Sequence, residues 1–330
     1  MKHVSILVPT GECILSSIVG SLKVFSKANE YLIHTGQRTD NFFEIDLVGL
    51  KPSTDLYDNQ FTVRPTKHID EVEQTDLIIV STILGDFEKE LKNNSPFIPW
   101  IVNQRISNGA EVASLCTGAF LLAETGLLNG KSCATHWMAA DVFRRMYPQI
   151  NLLSDKIISE DNGIYSSGGA YSFLNLLLYL VEKYAGREAS IWCSKVFEIE
   201  FDRSDQSQFA IFNGQKDHVD DVIKKAQEYI ETNFSLKLSV EELANQFAVS
   251  RRNFVRRFKK ATSNTPLEYI QRVKIEAAKK SLESSSRNIS EVMMDVGYND
   301  DKAFRNVFRK YTGLSPNDYR NKYNREMALI

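Results

Sequence analysis

Hydrophobic and polar positions follow two different periods along the first 200 residues. Short apolar or alternating runs predict strands, whereas apolar positions three and four residues apart predict helices. The predicted strands are Val4–Pro9, Phe42–Leu50, Leu77–Thr82, Glu111–Leu115, Lys131–Thr135, Lys156–Ser159 and Ile164–Ser166. The predicted helices are Ile14–Lys27, Ile98–Asn108, Thr117–Thr125, Met138–Met146 and Tyr171–Tyr184. Strands that alternate with helices indicate βαβ units around a mostly parallel sheet.

The pattern changes near residue 200, where a polar stretch lacks any period and every later segment has the helical period. We therefore predict an α/β domain over 1–203, a linker over 204–218 and an all-helical domain over 219–330. We expect the first domain to be a flavodoxin-like, three-layer α/β sandwich with a mostly parallel sheet.

Charge distinguishes the two domains. The net charge of −2 combines a net charge of about +6 from Val219 onward with one of about −8 over the preceding residues. A basic domain on an acidic one suggests a polyanion as partner.

The cysteines and the apolar segments bear on location. Cys13, Cys116, Cys133 and Cys193 have neither zinc nor redox spacing, so we expect reduced thiols, no metal and no cofactor. The first apolar run is too short for a signal peptide, and the run from Phe173 is too short and too soon charged to span a bilayer. We expect a cytoplasmic protein.

The helical domain contains a repeat with an offset of 50 residues. Six residues recur at that offset: Phe254, Phe258, Lys260, Thr262, Pro266 and Tyr269 correspond to Phe304, Phe308, Lys310, Thr312, Pro316 and Tyr319. So many identities at one offset indicate a duplicated unit.

Each copy predicts a helix-turn-helix, over about 238–263 and about 288–313. In the first copy, Ser239 and Glu242 form a capping box, Ala248 and Val249 a tight turn, and Ser250 the cap of a second helix. In the second copy, Gly297 lies in the turn and Asp300 is the expected N-cap. In both copies, the repeated phenylalanines mark the buried face of the second helix.

The opposite faces of these second helices carry the candidate DNA contacts. The candidates are Arg251, Arg252, Asn253, Arg256 and Lys259 in the first copy and Asp301, Lys302, Arg305, Asn306 and Arg309 in the second. A recognition helix needs such side chains, because arginine pairs with guanine and asparagine with adenine in the major groove. The alternative is an ordinary solvated surface. Ten Lys/Arg against two Asp/Glu between Ser250 and Lys280 favour DNA binding.

From Gly297, the block GYNDDKAFRNVFRKYTGLSPNDYR resembles the signature of the AraC/XylS family of transcription regulators. The resemblance covers about Val219–Tyr323. It implies two helix-turn-helix units in one monomer that read adjacent major-groove segments. It also implies transcriptional activation more often than repression, with RNA polymerase as a further partner.

The stretch EVASLCTGAF from Glu111 places a thiol between a predicted strand and a predicted helix. The positive end of a helix dipole lowers the pKa of a thiol, and such a turn resembles a nucleophile elbow. His136 is the candidate base, and Ser167, Gly168 and Gly169 open another helix whose N–H groups would face the same crevice. In a parallel sheet, Cys116 and His136 would both lie at the carboxyl ends of strands.

From Ala113, ASLCTGAFLLAETGLLNGKSCATHW, together with SSGGA from Ser166, resembles the ThiJ/PfpI-like, class I glutamine-amidotransferase-like superfamily over about 1–200. This domain before an AraC-type tail is the architecture of GlxA-type regulators, whose linker the stretch DQSQF from Asp205 also resembles. Catalytic members carry an acid near the first helix. Here Ser17 takes that position, and Glu12 lies in the preceding loop.

Three interpretations of Cys116 remain open: a small buried residue, a residue that shapes an effector site, and a catalytic nucleophile. We predict a transcription activator whose non-catalytic first domain senses a small metabolite and forms a homodimer, and whose second domain binds DNA. The ligand candidates are Cys116, Thr117, His136, Ser167, Gly168 and Gly169. The alternatives are a cysteine-dependent amidase or hydrolase with an added DNA-binding domain, and a regulator whose first domain only dimerises.

Overall fold

The structure of the chain, a computed structural model, describes residues 1–201, 203 and 205–324. The chain divides into two compact units between Gln206 and Ser207. The first unit combines strands and helices, and the described part of the second unit is helical. The predicted boundaries of the linker, 204 and 218, stay a prediction.

The first unit has eleven strands and seven α-helices in its described residues. The strands are Lys2–Val8 (β1), Phe43–Gly49 (β2), Thr54–Leu56 (β3), Phe61–Val63 (β4), Lys67–His68 (β5), Leu77–Val80 (β6), Glu111–Ser114 (β7), Ser132–Cys133 (β8), Asn151–Leu152 (β9), Ile158–Asp161 (β10) and Ile164–Ser167 (β11). The helices are Leu15–His34 (α1), Phe87–Asn93 (α2), Phe97–Ser107 (α3), Gly118–Glu124 (α4), Ala140–Met146 (α5), Phe173–Ala185 (α6) and Arg187–Phe197 (α7). Short 3₁₀ turns cover Ile69–Glu71, Trp137–Ala139 and Ala170–Ser172.

Seven of these strands form one sheet in the order β10-β11-β7-β6-β1-β2-β5. Every pair in it is parallel except β10 and β11, which form an antiparallel hairpin around Gly163. One face of the sheet packs against α1, α6 and α7, and the other face packs against α2 to α5. The expected three-layer sandwich with a mostly parallel sheet is therefore confirmed.

Three features of this unit differ from the sequence prediction. The pattern missed the hairpin β3–β4 and the helices α2 and α7, because three-residue strands and short or polar helices leave little periodicity. The strand predicted over Lys131–Thr135 is only two residues long, and it pairs with β9 outside the main sheet. The expectation that His136 follows a strand of the same sheet as Cys116 was therefore wrong.

The second unit contains seven α-helices in its described residues: Asp221–Thr232 (α8), Val240–Gln246 (α9), Arg251–Thr262 (α10), Pro266–Ser284 (α11), Ile289–Asp295 (α12), Asp301–Thr312 (α13) and Pro316–Tyr323 (α14). The capping box of Ser239 and Glu242 is present, and Asp300 caps α13 by accepting from the Ala303 N–H at 2.9 Å. Ser250 occupies the N-cap position of α10, but its side chain makes no capping hydrogen bond.

Two hydrophobic clusters hold these helices together. The first joins α8, α9 and α10, and the second joins α12, α13 and α14. Helix α11 belongs to both, since Tyr269 and Ile270 pack into the first cluster and Ile275 and Leu282 into the second. Every helix in the described part of the chain is too short or too polar to cross a bilayer.

Candidate effector crevice and DNA interface

Cys116 lies on a sharp turn between β7 and α4. Its backbone has φ = +53°, an unusual value for a residue other than glycine, and its side chain is buried. The turn requires glycine at position 118, because a Cβ atom there would overlap the carbonyl oxygens of Val80 and Ser81. Thr117 donates its hydroxyl hydrogen bond to the Ile83 carbonyl at 2.6 Å, which fixes the turn against the loop after β6.

The segments that carry the candidates Ser167, His136 and Gly169 pack against this turn. The Cys116 N–H donates to Ser167 Oγ at 3.1 Å, and Thr135 donates its hydroxyl to the Cys116 carbonyl at 2.9 Å. The next residue, His136, lies against Gly169 so closely that a Cβ atom at position 169 would overlap the imidazole ring. The structure therefore brings the candidate ligand-binding residues together near Cys116. His136 lies in a loop beside the main sheet and does not follow one of its strands.

Burial determines the protonation of Cys116 and His136. It raises the pKa of the Cys116 thiol above its usual value, and N–H groups of Ala170 and Thr117 oppose that shift only in part. Burial also lowers the pKa of His136, so its imidazole is neutral at pH 7. His136 Nδ1 accepts from the Met138 N–H at 3.0 Å, which leaves the ring proton on Nε2.

The backbone amides of Gly168 and Gly169 already have partners inside the protein. The Gly168 N–H donates to the Ile157 carbonyl, and the Gly169 N–H donates to Gln206 Oε1, both at 2.9 Å. In this conformation, neither glycine has a free N–H group to offer a ligand, contrary to the sequence expectation. Gly168 also needs its small size, because a Cβ atom there would press on the Gln206 amide.

Gln206 is a residue that the sequence analysis did not identify. Its side chain is buried, and its Nε2 donates to the carbonyls of Thr135 at 2.8 Å and Ser154 at 3.0 Å. Its amide thus joins the loop of His136 to that of Gly169. The polar segment around it has no period that would reveal burial, and the only available signal was its place in the stretch DQSQF.

The position expected for a catalytic acid holds no carboxylate. Ser17 is buried and donates to the Ile14 carbonyl at 2.7 Å, while Glu12 is exposed to solvent. A buried carboxylate does occur on α2, where Glu90 lies against Gly11. Neither the helix α2 nor the burial of Glu90 was predicted from the sequence.

Helix α10 presents an exposed basic face. Arg251, Arg252, Arg256 and Lys259 are exposed, and Phe254 and Phe258 on the opposite face are fully buried. Asn253 is half-buried and accepts from Arg256 Nη2 at 2.8 Å, so the two polar candidates already contact one another. These side chains match the pattern of a recognition helix.

Helix α13 presents a less basic outward face. Asp301, Lys302, Asn306 and Arg309 are exposed, and half-buried Arg305 donates to Asp301 Oδ2 at 2.7 Å. The ten candidate DNA contacts therefore lie on the outward faces of two equivalent helices, although Arg305 is partly covered and paired. Their contact with DNA stays a prediction.

Comparison with family models assigns both units. Residues 30–183 match the model of the DJ-1/PfpI family, and residues 243–322 match a model of the helix-turn-helix domain. The first match contains the Cys116 turn, and the second contains both α10 and α13.

Relatives are similar to this chain over most of its length. GbdR of Pseudomonas aeruginosa, an HTH-type transcriptional regulator, is 27% identical over 78% of this chain and 69% of its own length. CdhR of the same species, also an HTH-type transcriptional regulator, is 25% identical over 80% of this chain and 78% of its own length. A crystal structure of a candidate transcriptional regulator from Vibrio parahaemolyticus matches 59% of this chain and 98% of its own, with 25% identity and a TM-score of 0.52. The chain therefore joins an amino-terminal DJ-1/PfpI domain to an AraC-type helix-turn-helix DNA-binding domain, which is the organisation of a transcription regulator.

Proposed function

We propose that this regulator is a transcription activator whose DJ-1/PfpI domain senses a small metabolite without transforming it. The observation that carries the proposal is that Gln206, just before the chain enters the helical unit, joins the loop of His136 to that of Gly169, and that both loops are bonded to the Cys116 turn through Thr135 and Ser167. A ligand that displaces these loops also displaces Gln206. Binding would then favour one arrangement of the chain and one affinity for DNA.

Helices α10 and α13 are the proposed recognition helices. Arg251, Arg252, Arg256 and Lys259 supply most of the positive charge, and arginine forks read guanine in the major groove. The second helix contributes Lys302, Arg305, Asn306 and Arg309, with Asp301 at its start. Because α13 is less basic, we expect it to add less affinity than α10.

The proposed effector site lies beside Cys116 and His136. Cys116 and Thr117 form its floor, Ser167, Gly168 and Gly169 form one wall, and the neutral ring of His136 offers an Nε2–H group to the ligand. The exposed side chains of Met138 and Tyr171 follow His136 and Gly169 by two residues each. Apolar side chains around a few polar groups are typical of small-molecule sites. The family resemblance favours an amino-acid-like or other nitrogen-containing metabolite.

Location and assembly complete the proposal. We place the protein in the cytoplasm, where its DNA and RNA polymerase are found and where its four cysteines stay reduced. We also propose a homodimer formed through the DJ-1/PfpI domain, since paired DNA sites fit twofold symmetry. A regulator whose first domain only dimerises is the competing proposal.

Thermal denaturation of the full chain against a library of amino-acid-like and other small nitrogen-containing metabolites tests the sensor. A true effector raises the melting temperature and changes the affinity for DNA selected by the wild-type protein. Gly169→Ala, whose methyl group overlaps His136, should abolish both effects. Arg256→Ala is the matched control, because it should weaken DNA binding and leave the thermal shift intact. A library without any effective compound would favour the dimerisation-only proposal.

The absence of catalysis has its own test. Burial raises the pKa of Cys116, so the thiol stays protonated at pH 7, and a neutral His136 with its proton on Nε2 is a poor base in this position. We expect slow alkylation of Cys116 by iodoacetamide in the native protein and no turnover of amide or ester substrates. Turnover that Cys116→Ala abolishes would establish the hydrolase alternative instead.

A further inference from the structure

One lysine lies buried where the two helix-turn-helix units meet. Lys274 belongs to α11, the helix that contributes to both hydrophobic clusters, and its side chain is only 5% exposed. Its Nζ donates to the carbonyls of Val296 at 2.8 Å, Leu236 at 3.0 Å and Gly297 at 3.3 Å. The ammonium group thus uses its three donors on three backbone oxygens.

These carbonyls come from two segments of the helical domain, the loop that leads into the first helix-turn-helix unit and the turn of the second. Leu236 lies in the loop between α8 and α9, directly before the first unit, whereas Val296 and Gly297 form the turn of the second unit. Gly297 has φ = +74°, and a Cβ atom at this position would overlap both the Ser235 carbonyl and Lys274 Nζ. The loop that leads into the first unit and the turn of the second unit therefore touch through backbone, with the lysine between them.

We propose that Lys274 is a positioning residue that fixes the second helix-turn-helix relative to the first, and with it the spacing of the two DNA segments they read. A charge-assisted hydrogen bond is stronger than a neutral one. Three such bonds from one Nζ atom therefore hold the loop of Leu236 and the turn of Val296 and Gly297 at a fixed separation. Burial lowers the pKa of Lys274 to about 8, so the ammonium form that supplies all three donors predominates at pH 7.

The neighbouring lysines show why this role belongs to position 274. Lys279 is also buried, but it donates to the Ala210 carbonyl and to Glu276 on its own helix. Lys280 is exposed. Tyr311 of α13 additionally bonds Gln271 of α11 at 3.1 Å, so loss of Lys274 should loosen the second unit without detaching it.

The inference rests on the proposed reading of two DNA segments, and its test uses the full chain with sites selected from random DNA by the wild-type protein. Affinity is measured for the full site, for a site with the second segment scrambled, and for full sites with one base pair added between the segments. The variants are Lys274→Met, Lys280→Met as the exposed control and Lys279→Met as the control for loss of another buried lysine. Lys274→Gln, which keeps an amide donor, is measured alongside in case Lys274→Met does not fold.

We expect Lys274→Met to bind the full site about tenfold more weakly, since a loosened link lowers the effective concentration of the second unit. Its affinity for the single segment should change less than about twofold, and the added base pair should cost it less than it costs the wild type. Both control variants should keep the wild-type dependence on spacing, and Lys274→Gln should lie between the wild type and Lys274→Met.

Three results would overturn the inference. One is an unchanged dependence on spacing in both Lys274 variants. Another is an equal loss on the full site and the single segment, which indicates destabilisation alone. The third is a wild-type protein that protects only one DNA segment. This third result would also refute the proposed reading of two segments, whereas the first two results leave that proposal standing.

Discussion

The two helix-turn-helix units are built on one plan and present different surfaces. Phe254 and Phe258 of α10 correspond to Phe304 and Phe308 of α13, and all four rings are fully buried. The repeat extends to polar groups. Thr262 and Thr312 each donate to a carbonyl four residues earlier at 2.8 Å, and Tyr269 and Tyr319 each donate to a glutamate.

The outward faces do not share this identity. Arg251 corresponds to Asp301, and Arg256 corresponds to Asn306, so the charge differs at two equivalent exposed positions. Arg257 corresponds to Val307, and Arg257 pairs with Asp220, the N-cap residue of α8, at 2.5 Å. Five of the six residues repeated at an offset of 50 are buried, and Lys260 and Lys310 are the exposed pair. The repeat therefore reflects the shared core, whereas the exposed positions that differ are the ones proposed to set DNA specificity.

The largest expected effects concern the shared core. Phe258→Ala and Phe308→Ala should each lower the free energy of unfolding of their own unit by about 3–5 kcal/mol, because each leaves a cavity among fully buried rings. Hydrogen exchange measured separately for α9–α10 and α12–α13 checks this. Arg252→Ala, on the exposed face, should change stability by less than about 0.5 kcal/mol. A much smaller cost for Phe308→Ala would show that the second core is looser than the first.

The next effects concern DNA affinity at one pair of equivalent positions. Arg256→Ala should cost about 1–3 kcal/mol on a selected DNA site and relax the base preference there, because a guanidinium fork reads guanine. Asn306→Ala on α13 should cost less. Fluorescence anisotropy against the selected site and its single-base variants measures both. Unchanged affinity and preference in Arg256→Ala would mean that α10 meets DNA by another face.

Periodicity was enough to predict much of the fold. Local pattern predicts every strand of the main sheet except β5, and it predicts the helices α9, α10 and α13. It also predicts the caps of α9 at Ser239 and of α13 at Asp300, because each of these features reflects burial of one face or a single capping bond. The position of β8 outside the main sheet did not follow, since strand pairing depends on contacts distant in sequence.

The functional residues were predictable to different degrees. The turn at Cys116 and the basic face of α10 have strong local signals. Gln206 and Lys274 have none, because a polar residue in a polar segment or on a basic helix looks like a solvated one. Their importance arises from burial against backbone carbonyls, which only the folded chain reveals.

The salt dependence of binding probes a position where the two copies agree in charge. Lys259→Ala should reduce the slope of log affinity against log salt by about one, if Lys259 neutralises a phosphate. Arg309→Ala, at the equivalent exposed position of α13, should do the same. Binding isotherms at several potassium chloride concentrations give both slopes. A wild-type slope in either variant would remove that side chain from the phosphate contacts.

The smallest effect tests the position where the two copies carry opposite charge. Asp301 pairs with Arg305 four residues later, and an exposed pair of this kind contributes about 0.3–0.5 kcal/mol. Asp301→Ala should therefore lower stability only slightly, while it strengthens binding to DNA of unrelated sequence by removing a negative charge. Arg251→Ala, the equivalent change on α10, should weaken that binding. Anisotropy with a random-sequence duplex at low salt measures both, and effects of the same sign would mean that the two helices do not approach DNA in equivalent orientations.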